Sequence, residues 1–197
     1  MRKVLLLMHT SLDGFVAGPN GEMDWIALDD ELFDDVGKIT DTADTALYGR
    51  TTYQMMESYW PTAADSPTAT KHDIEHAHWV NNALKIVFSR SLKETDPIIT
   101  GWQNTKIIRD NITEEIANMK KQPGKNLLLI GSASIAHTFM EHDLIDEYWI
   151  NVNPIILGAG IPLFKNTNTQ VNLNLIQSKK YGCGVVALQY EMKTSTK

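Results

Sequence analysis

Three short runs in this chain place glycine or serine beside arginine and hydroxyl side chains, each directly after an apolar stretch. They are Gly49-Arg50-Thr51-Thr52, Ser89-Arg90-Ser91, and Gly131-Ser132-Ala133-Ser134 leading into Ile135. Small residues leave backbone N–H groups bare at the start of a helix. There the unpaired donors and the positive end of the dipole attract an anion, typically a phosphate. Arginine holds a phosphate monoester through two parallel hydrogen bonds, and hydroxyls add further donors. Each run alone also has an ordinary reading as a strand–helix turn, since Gly and Thr are common caps. Three of them together match an extended ligand carrying several phosphates.

A second group of residues concerns acid–base chemistry. From Trp25 onward, Leu28, Leu32, Phe33, Val36 and Ile39 fall at helical spacing and predict a helix. At 100° per residue Asp29 lies inside that apolar stripe, whereas Asp30, Glu31, Asp34 and Asp35 mostly point elsewhere. A carboxylate on a buried side is costly unless it is paired or used. Asp29 is therefore a candidate for lining a pocket; the other reading is a surface residue placed in the wrong register. His72 and His76, at i and i+4, have the form of a metal pair, but no further Cys or His supplies a third ligand. The plainer expectation is no metal, and an exposed helix with Trp79 and Val80 on its inner side. Cys183 stands between two glycines with no base nearby in sequence, which suits a small loop filler better than a nucleophile.

The elements that would position these residues alternate in kind. Val4–Met8 reads as a buried first strand, followed by a turn at Asp13-Gly14 and a short extended piece from Phe15. A strand runs into Gly49, and a helix from near Thr51 ends at Trp60-Pro61. Residues 63–70 form a polar connector. Ala83–Phe88 and Trp102–Arg109 read as strands, and Thr113 caps a helix containing Ile116 and Met119 that Gln122-Pro-Gly-Lys breaks. Leu127–Ile130, four apolar residues flanked by polar ones, reads as a strand buried on both faces. A helix from about Ile135 to Glu141 and a strand over Leu144–Val152 follow. Val171–Gln177 and Val185–Met192 form an antiparallel hairpin. The pattern is an α/β fold: a mixed, mainly parallel sheet with helices on both faces and a hairpin at the end. Ligands of such sheets sit at the carboxyl ends of the strands, where all three runs fall. A Rossmann fingerprint is missing, because the G-x-G at Gly158-Ala-Gly lacks a third glycine and runs into Pro162.

Composition bounds the reading. A length of 197 residues suits one domain spanning the chain, with 43% apolar and 21% charged residues, as in ordinary globular proteins. A net charge of −6 disfavours nonspecific nucleic-acid binding, so a polyanionic ligand needs a local arginine cluster. One cysteine excludes an internal disulfide. No run approaches a membrane span, and the apolar stretch after Met1-Arg-Lys is too short for a signal peptide, so a cytoplasmic protein is expected.

Taken in order, five motifs resemble a known family. They are Ser11-Leu-Asp-Gly, Ala46-Leu-Tyr-Gly-Arg-Thr-Thr-Tyr, Val87-Phe-Ser-Arg-Ser-Leu, Leu129-Ile-Gly-Ser-Ala, and Asp146-Glu with Pro154-Ile-Ile-Leu-Gly-Ala-Gly-Ile-Pro-Leu-Phe. Over about residues 3–192 the chain looks like the dihydrofolate reductase superfamily. It is closest to the branch holding the reductase domain of the riboflavin-biosynthesis deaminase/reductase. The resemblance implies a three-layer fold with a central sheet of about eight strands and NADPH as hydride donor. It implies contacts from Gly49, Arg50, Thr51, Thr52 and from Gly131, Ser132, Ala133, Ser134, Ile135 to the pyrophosphate. It places Ser89, Arg90 and Ser91 at the adenosine 2′-phosphate, the nicotinamide near Val16 and Ala17, and Ser11 and Asp13 on the substrate side. Two positions depart from the family: Ser132 replaces the second glycine of the usual pair, and Asp24 stands before Trp25 where classical folate reductases have proline. Those reductases carry a buried carboxylate four residues before a phenylalanine. Asp29 and Phe33 keep that spacing, while counting from Trp25 selects Asp30 as the catalytic carboxylate instead. The expected activity is NADPH-dependent reduction of a small heterocyclic or carbonyl substrate, of the 5-amino-6-(5-phosphoribosylamino)uracil reductase type. The alternatives are dihydrofolate reductase proper and a non-catalytic NADP- or small-molecule-binding module. A homodimer is a possible assembly.

Overall fold

In the computed structural model, which describes residues 1–165 and 170–193, ten strands and six α-helices follow one another. β1 (Val4–Thr10) and β2 (Phe15–Ala17) precede α1 (Asp30–Asp41). Then come β3 (Ala43–Gly49), α2 (Arg50–Glu57), α3 (Lys71–Asn82), β4 (Leu84–Phe88) and a short α4 (Pro97–Thr100). β5 (Thr105–Ile108), α5 (Ile112–Lys121), β6 (Asn126–Ile130), α6 (Ala133–Glu141) and β7 (Glu147–Val152) continue the alternation. β8 (Ile161–Pro162), β9 (Leu173–Lys180) and β10 (Val186–Met192) close the chain.

Eight strands form the main sheet in the order β5-β4-β3-β6-β1-β7-β10-β9, and β2 pairs with β8 in a small second sheet. β5 through β7 are mutually parallel, and the β9–β10 hairpin joins β7 antiparallel. Alternation along β1 divides the core. Val4, Leu6 and Met8 face Ile116 and Met119 of α5 and Ala136 and Phe139 of α6. Leu5 and Leu7 face the other way, toward Val36 and Ile39 of α1 and Trp79 of α3. Further along that second face, Tyr48 and Val87 pack with Tyr53, Val80 and Trp102. The strands Leu127–Leu129 and Ala46–Tyr48 are buried on both faces, as continuous apolar runs in a covered parallel sheet must be.

Several boundaries differ from the pattern in the sequence. Trp25–Leu28 is not helical; Asp29 is the extended N-cap of α1, with φ −145°. The apolar period carried the expected helix one turn too far, because it cannot register that Asp is favoured at the cap rather than inside. Thr113 likewise lies within α5, whose N-cap is Asn111 at φ 57°, a conformation Asn tolerates. Residues 63–65 of the expected connector form one 3₁₀ turn. Lys85, near the start of β4, is fully buried. Its ammonium donates to the carbonyls of Val80 (2.9 Å), Asn81 (3.3 Å) and Ala83 (3.0 Å) where α3 ends, and burial pushes its pKa down to about 8.

Candidate functional site

Because β4, β3, β6, β1 and β7 are adjacent and parallel, their carboxyl ends form one continuous rim. Gly49 stands level with Phe88, Leu47 with Leu129, and Leu7 with Ile130. The three phosphate-type runs therefore emerge side by side, each at a strand end, as the sequence led one to expect.

Their geometry differs from a bare glycine cradle in one respect. The Ser132 hydroxyl accepts a hydrogen bond from the Gly49 N–H (2.6 Å) and donates to Thr52 Oγ1 (2.7 Å), so it ties two of the loops together. Gly131 and Ser132 both take left-handed backbone angles, φ 62° and 60°, which glycine adopts freely and serine at a cost of order 1 kcal/mol. A Cβ at Gly49 would come within 2.9 Å of Ser132 Oγ and 3.0 Å of Ile135 Cγ1, so glycine is required there. No side chain among the described residues caps the first N–H groups of α2 or α6. The amides following Gly49 and Ser132, including those of Thr51, Ala133 and Ser134, thus begin helices with their donors directed at the rim.

Arginines gather beyond these loops. Arg50 Nη1 donates to Ser91 Oγ (2.9 Å), linking the first and second runs. Ser89 Oγ accepts from the Leu92 N–H (3.2 Å) and shapes the turn. Arg90 is 86% exposed and lies 3.4 Å from Asp110. Arg109, which the sequence reading passed over, donates to the carbonyls of Leu92 and Arg90 and braces the loop from behind. Its only signal was position, just after the adjacent strand β5. The pieces fit a dinucleotide: two uncapped helix starts for a pyrophosphate, and a serine–arginine loop one strand away for a phosphate monoester.

The other end of the rim, at β1 and β7, has a different chemistry. His9 is largely buried, its Nδ1 3.3 Å from Asn153 Nδ2 and its Nε2 3.4 Å from Asn151 Nδ2. Burial lowers its pKa to about 4, so the ring is neutral at physiological pH. Asn153 also accepts from the Ala27 N–H (2.9 Å) and donates to the carbonyl of Thr10, fastening the loop before α1 to this end. His9, Asn151 and Asn153 were not singled out from the sequence; polar residues at the ends of the apolar runs 4–10 and 147–153 were the available clue. Val16 and Ala17 are buried in β2 alongside.

The sequence-derived substrate residues take bracing positions. Ser11 Oγ donates to Asp13 Oδ1 (2.6 Å) and accepts from the Phe15 N–H, while the Asp13 carboxylate accepts from the N–H groups of Leu157 and Gly158. Together they hold the loop after β7 against the loop after β1. Asp29 is not on a buried helix face. Its Oδ1 accepts from the Leu32 N–H (2.9 Å) and its Oδ2 from the Cys183 N–H (2.8 Å), pinning the start of α1 to the β9–β10 turn. Those two backbone donors hold its pKa below the usual carboxylate range, so it is no proton donor near neutrality. Asp30 opens α1 and is exposed. Cys183 contributes a backbone N–H to that tie and packs against Leu32, Tyr181 and Val185. His76 is buried rather than exposed, and His72 stacks on Phe33 at 3.9 Å; no metal-competent cluster occurs among the described residues. Phe33 thus faces α3 rather than the rim.

A groove of about 520 Å³ adjoins this end, between α1 and the β7–β10–β9 surface, with Trp149, Gln177, Gln189 and Tyr181 among its walls. A larger hollow of about 810 Å³ lies between α1 and α3, away from the strand ends.

Residues 2–187 match the family described as the RibD C-terminal domain. The chain belongs to that family. In Bacillus subtilis (strain 168) the protein YyaP, itself uncharacterized, is 35% identical over 192 residues, covering 96% of this chain and 94% of YyaP. Among solved structures, a Shewanella sp. PV-4 protein assigned provisionally to riboflavin biosynthesis superposes with a TM-score of 0.75 at 24% identity, over 98% of this chain and 100% of that one. The Thermotoga maritima diaminohydroxyphosphoribosylaminopyrimidine deaminase/5-amino-6-(5-phosphoribosylamino)uracil reductase superposes with a TM-score of 0.68 at 15% identity, over 97% of this chain and 56% of that protein. The RibD C-terminal family lies within the dihydrofolate reductase-like superfamily, and the eight-stranded sheet is its fold. No helix among the described residues is long and apolar enough to cross a membrane.

Proposed function

We propose that this protein is an NADPH-dependent reductase of a small heterocyclic or carbonyl substrate, related in kind to the reductase domain of its family. One observation carries the reading: three neighbouring parallel strands end in Gly49-Arg50, Ser89-Arg90-Ser91 and Gly131-Ser132, with α2 and α6 uncapped by side chains. The amides opening these helices would take the pyrophosphate, and Arg50, Arg90 and the serines beside them the 2′-phosphate. Bound there, NADPH supplies a hydride to the carbon of a C=N or C=O bond, solvent supplying the proton to the nitrogen or oxygen. Val16 and Ala17 would exclude water from one side of the nicotinamide, and His9, Asn151 and Asn153 would form a neutral polar floor beside the substrate. The Asp29 cap disfavours the folate-reductase variant of this reading, because its carboxylate serves α1 and the hairpin turn.

Titration with NADPH by tryptophan quenching, followed by absorbance assays with pterins, aminouracils and quinones, tests the proposal. Saturable NADPH binding with oxidation by at least one substrate is the expected result. Absence of NADPH binding by the folded protein would sink the proposal.

A further inference from the structure

The rim is electrostatically divided, and the division bears on what the substrate can be. Its β4–β3–β6 side offers uncapped helix starts and three arginines. Its β1–β7 side is built from residues 4–37, 144–164 and 181–192, and none of these segments contains a lysine or arginine. Residues 4–37 alone hold eight aspartates and glutamates.

Of the cations bordering this side, Lys38, Lys71 and Lys179 are already engaged, and Lys165, just past β8, is exposed to solvent. Lys179 lies 2.5 Å from Asp35 and 2.9 Å from Glu31, and Lys38 lies 2.6 Å from Asp35. Lys71 is 2.8 Å from Asp34. Lys180 is paired in register with Val186 and projects from the opposite face of the sheet to Lys179. The two helix starts here are also occupied by the protein's own acceptors. Asp29 caps α1, and Thr70 with Asp73 forms a capping box on α3. His9, in the floor of this side, is kept neutral by desolvation, and the groups around it are the amides of Asn151 and Asn153. An anion brought against the His9, Asn151 and Asn153 floor would lose its hydration and meet no compensating positive charge there.

We infer that the β1–β7 side of the rim takes a substrate without phosphate or carboxylate groups, neutral or positively charged, so that the phosphorylated ribosylaminouracil of the Thermotoga enzyme's reaction is excluded. The inference rests on the reductase proposal for the same rim. It also separates this protein from a folate reductase, whose substrate ends in carboxylates.

Matched pairs that share a reducible ring test it: 5-amino-6-ribosylaminouracil against its 5′-phosphate, and dihydropterin against dihydrofolate. Binding to the protein saturated with NADP⁺ is measured by calorimetry, and turnover by NADPH absorbance. At least tenfold tighter binding of the member lacking the anionic tail is expected in a pair that binds, with the gap narrowing as salt rises. Reversal of exposed charge by Asp24→Lys together with Glu31→Lys should narrow the gap several-fold while leaving NADPH affinity unchanged. Equal or tighter binding of the anionic members, or binding of neither member of either pair, overturns the inference. Failure of the reductase proposal has a separate signature, since NADPH itself would then not bind.

Discussion

The two halves of the rim are made by the same device and end in opposite states. On both, a parallel strand runs into a loop and then toward a helix. At β3 and β6 the loops end in Gly49 and Gly131-Ser132, the helices start at once, and their N–H groups stay open. At β1 the loop is long, the helix start is sealed by Asp29, and the same carboxylate reaches across to Cys183. A helix start is an anion site only while nothing in the chain fills it. The difference between the proposed cofactor half and the proposed substrate half is therefore one of who supplies the acceptor, the ligand or the protein.

Breaking the open half should produce the largest effect. Gly131 has φ +62°, and a Cβ there would lie 3.3 Å from Thr52 Cγ2. Gly131→Val forces a β-branched residue into that conformation, at about 1–3 kcal/mol, or moves the loop. Either outcome removes the pyrophosphate cradle, and NADPH quenching should be abolished while far-UV circular dichroism persists.

Acid should act on the closed half. The folded pKa of His9, about 4, lies below its ordinary value of 6.5, so the unfolded chain takes up the proton first as pH falls. Its contribution to stability is complete above pH 6.5 and is lost between pH 6.5 and 4, amounting to about 3 kcal/mol. His76, lowered to about 3 by burial, adds loss of the same sign. Denaturant melts of His9→Gln should show a flatter pH dependence over that window than the parent; an unchanged slope would remove His9 from the account.

Arg90→Ala sharpens the contrast in ligand charge. It should weaken NADPH by about 1.5 kcal/mol, the lower end for a hydrogen bond to a charged group because the side chain is exposed, or roughly tenfold in Kd. NADH binding should hardly change. Equal losses for both would move the 2′-phosphate away from Ser89–Ser91.

Unsealing the closed half should be milder. Asp29→Ala removes the α1 cap and the tie to Cys183, and a Tm lower by a few degrees is expected. Asp29→Asn, an equally good cap by preference, should recover most of that loss. If Asn is as damaging as Ala, the charge rather than the cap is what matters.

The smallest change concerns Ser132→Gly. It gives up the bridge to Gly49 and Thr52 but relieves the left-handed serine and frees the Gly49 N–H for the ligand. These offset each other, so stability within about 1 kcal/mol of the parent and neutral or slightly tighter NADPH binding are expected.

Much of this molecule could be read from local pattern. The buried runs Leu127–Ile130 and Ala46–Tyr48 announce parallel strands because a strand covered on both faces has no polar period to hide. The runs at Gly49, Ser89 and Gly131 announce strand ends because small and hydroxylated residues follow apolar ones without a break. What a strand end presents depends on chain-local choices of glycine, serine and arginine, and the sequence alone determined them. Partnership across the fold was decided only by the tertiary structure. Asp29 reads as a buried pocket carboxylate from its helical phase, and becomes a cap because Cys183, more than 150 positions away, brings its N–H to the same oxygen pair. Ser132 reads as a departure from the usual glycine pair and becomes a bridge because β3 and β6 are neighbours in the sheet. Ser11 and Asp13 read as substrate residues and become braces because the loop after β7 folds back over them. Polar side chains settle with whichever donor or acceptor the packed chain brings within about 3 Å, and at long sequence separation that choice is made by topology.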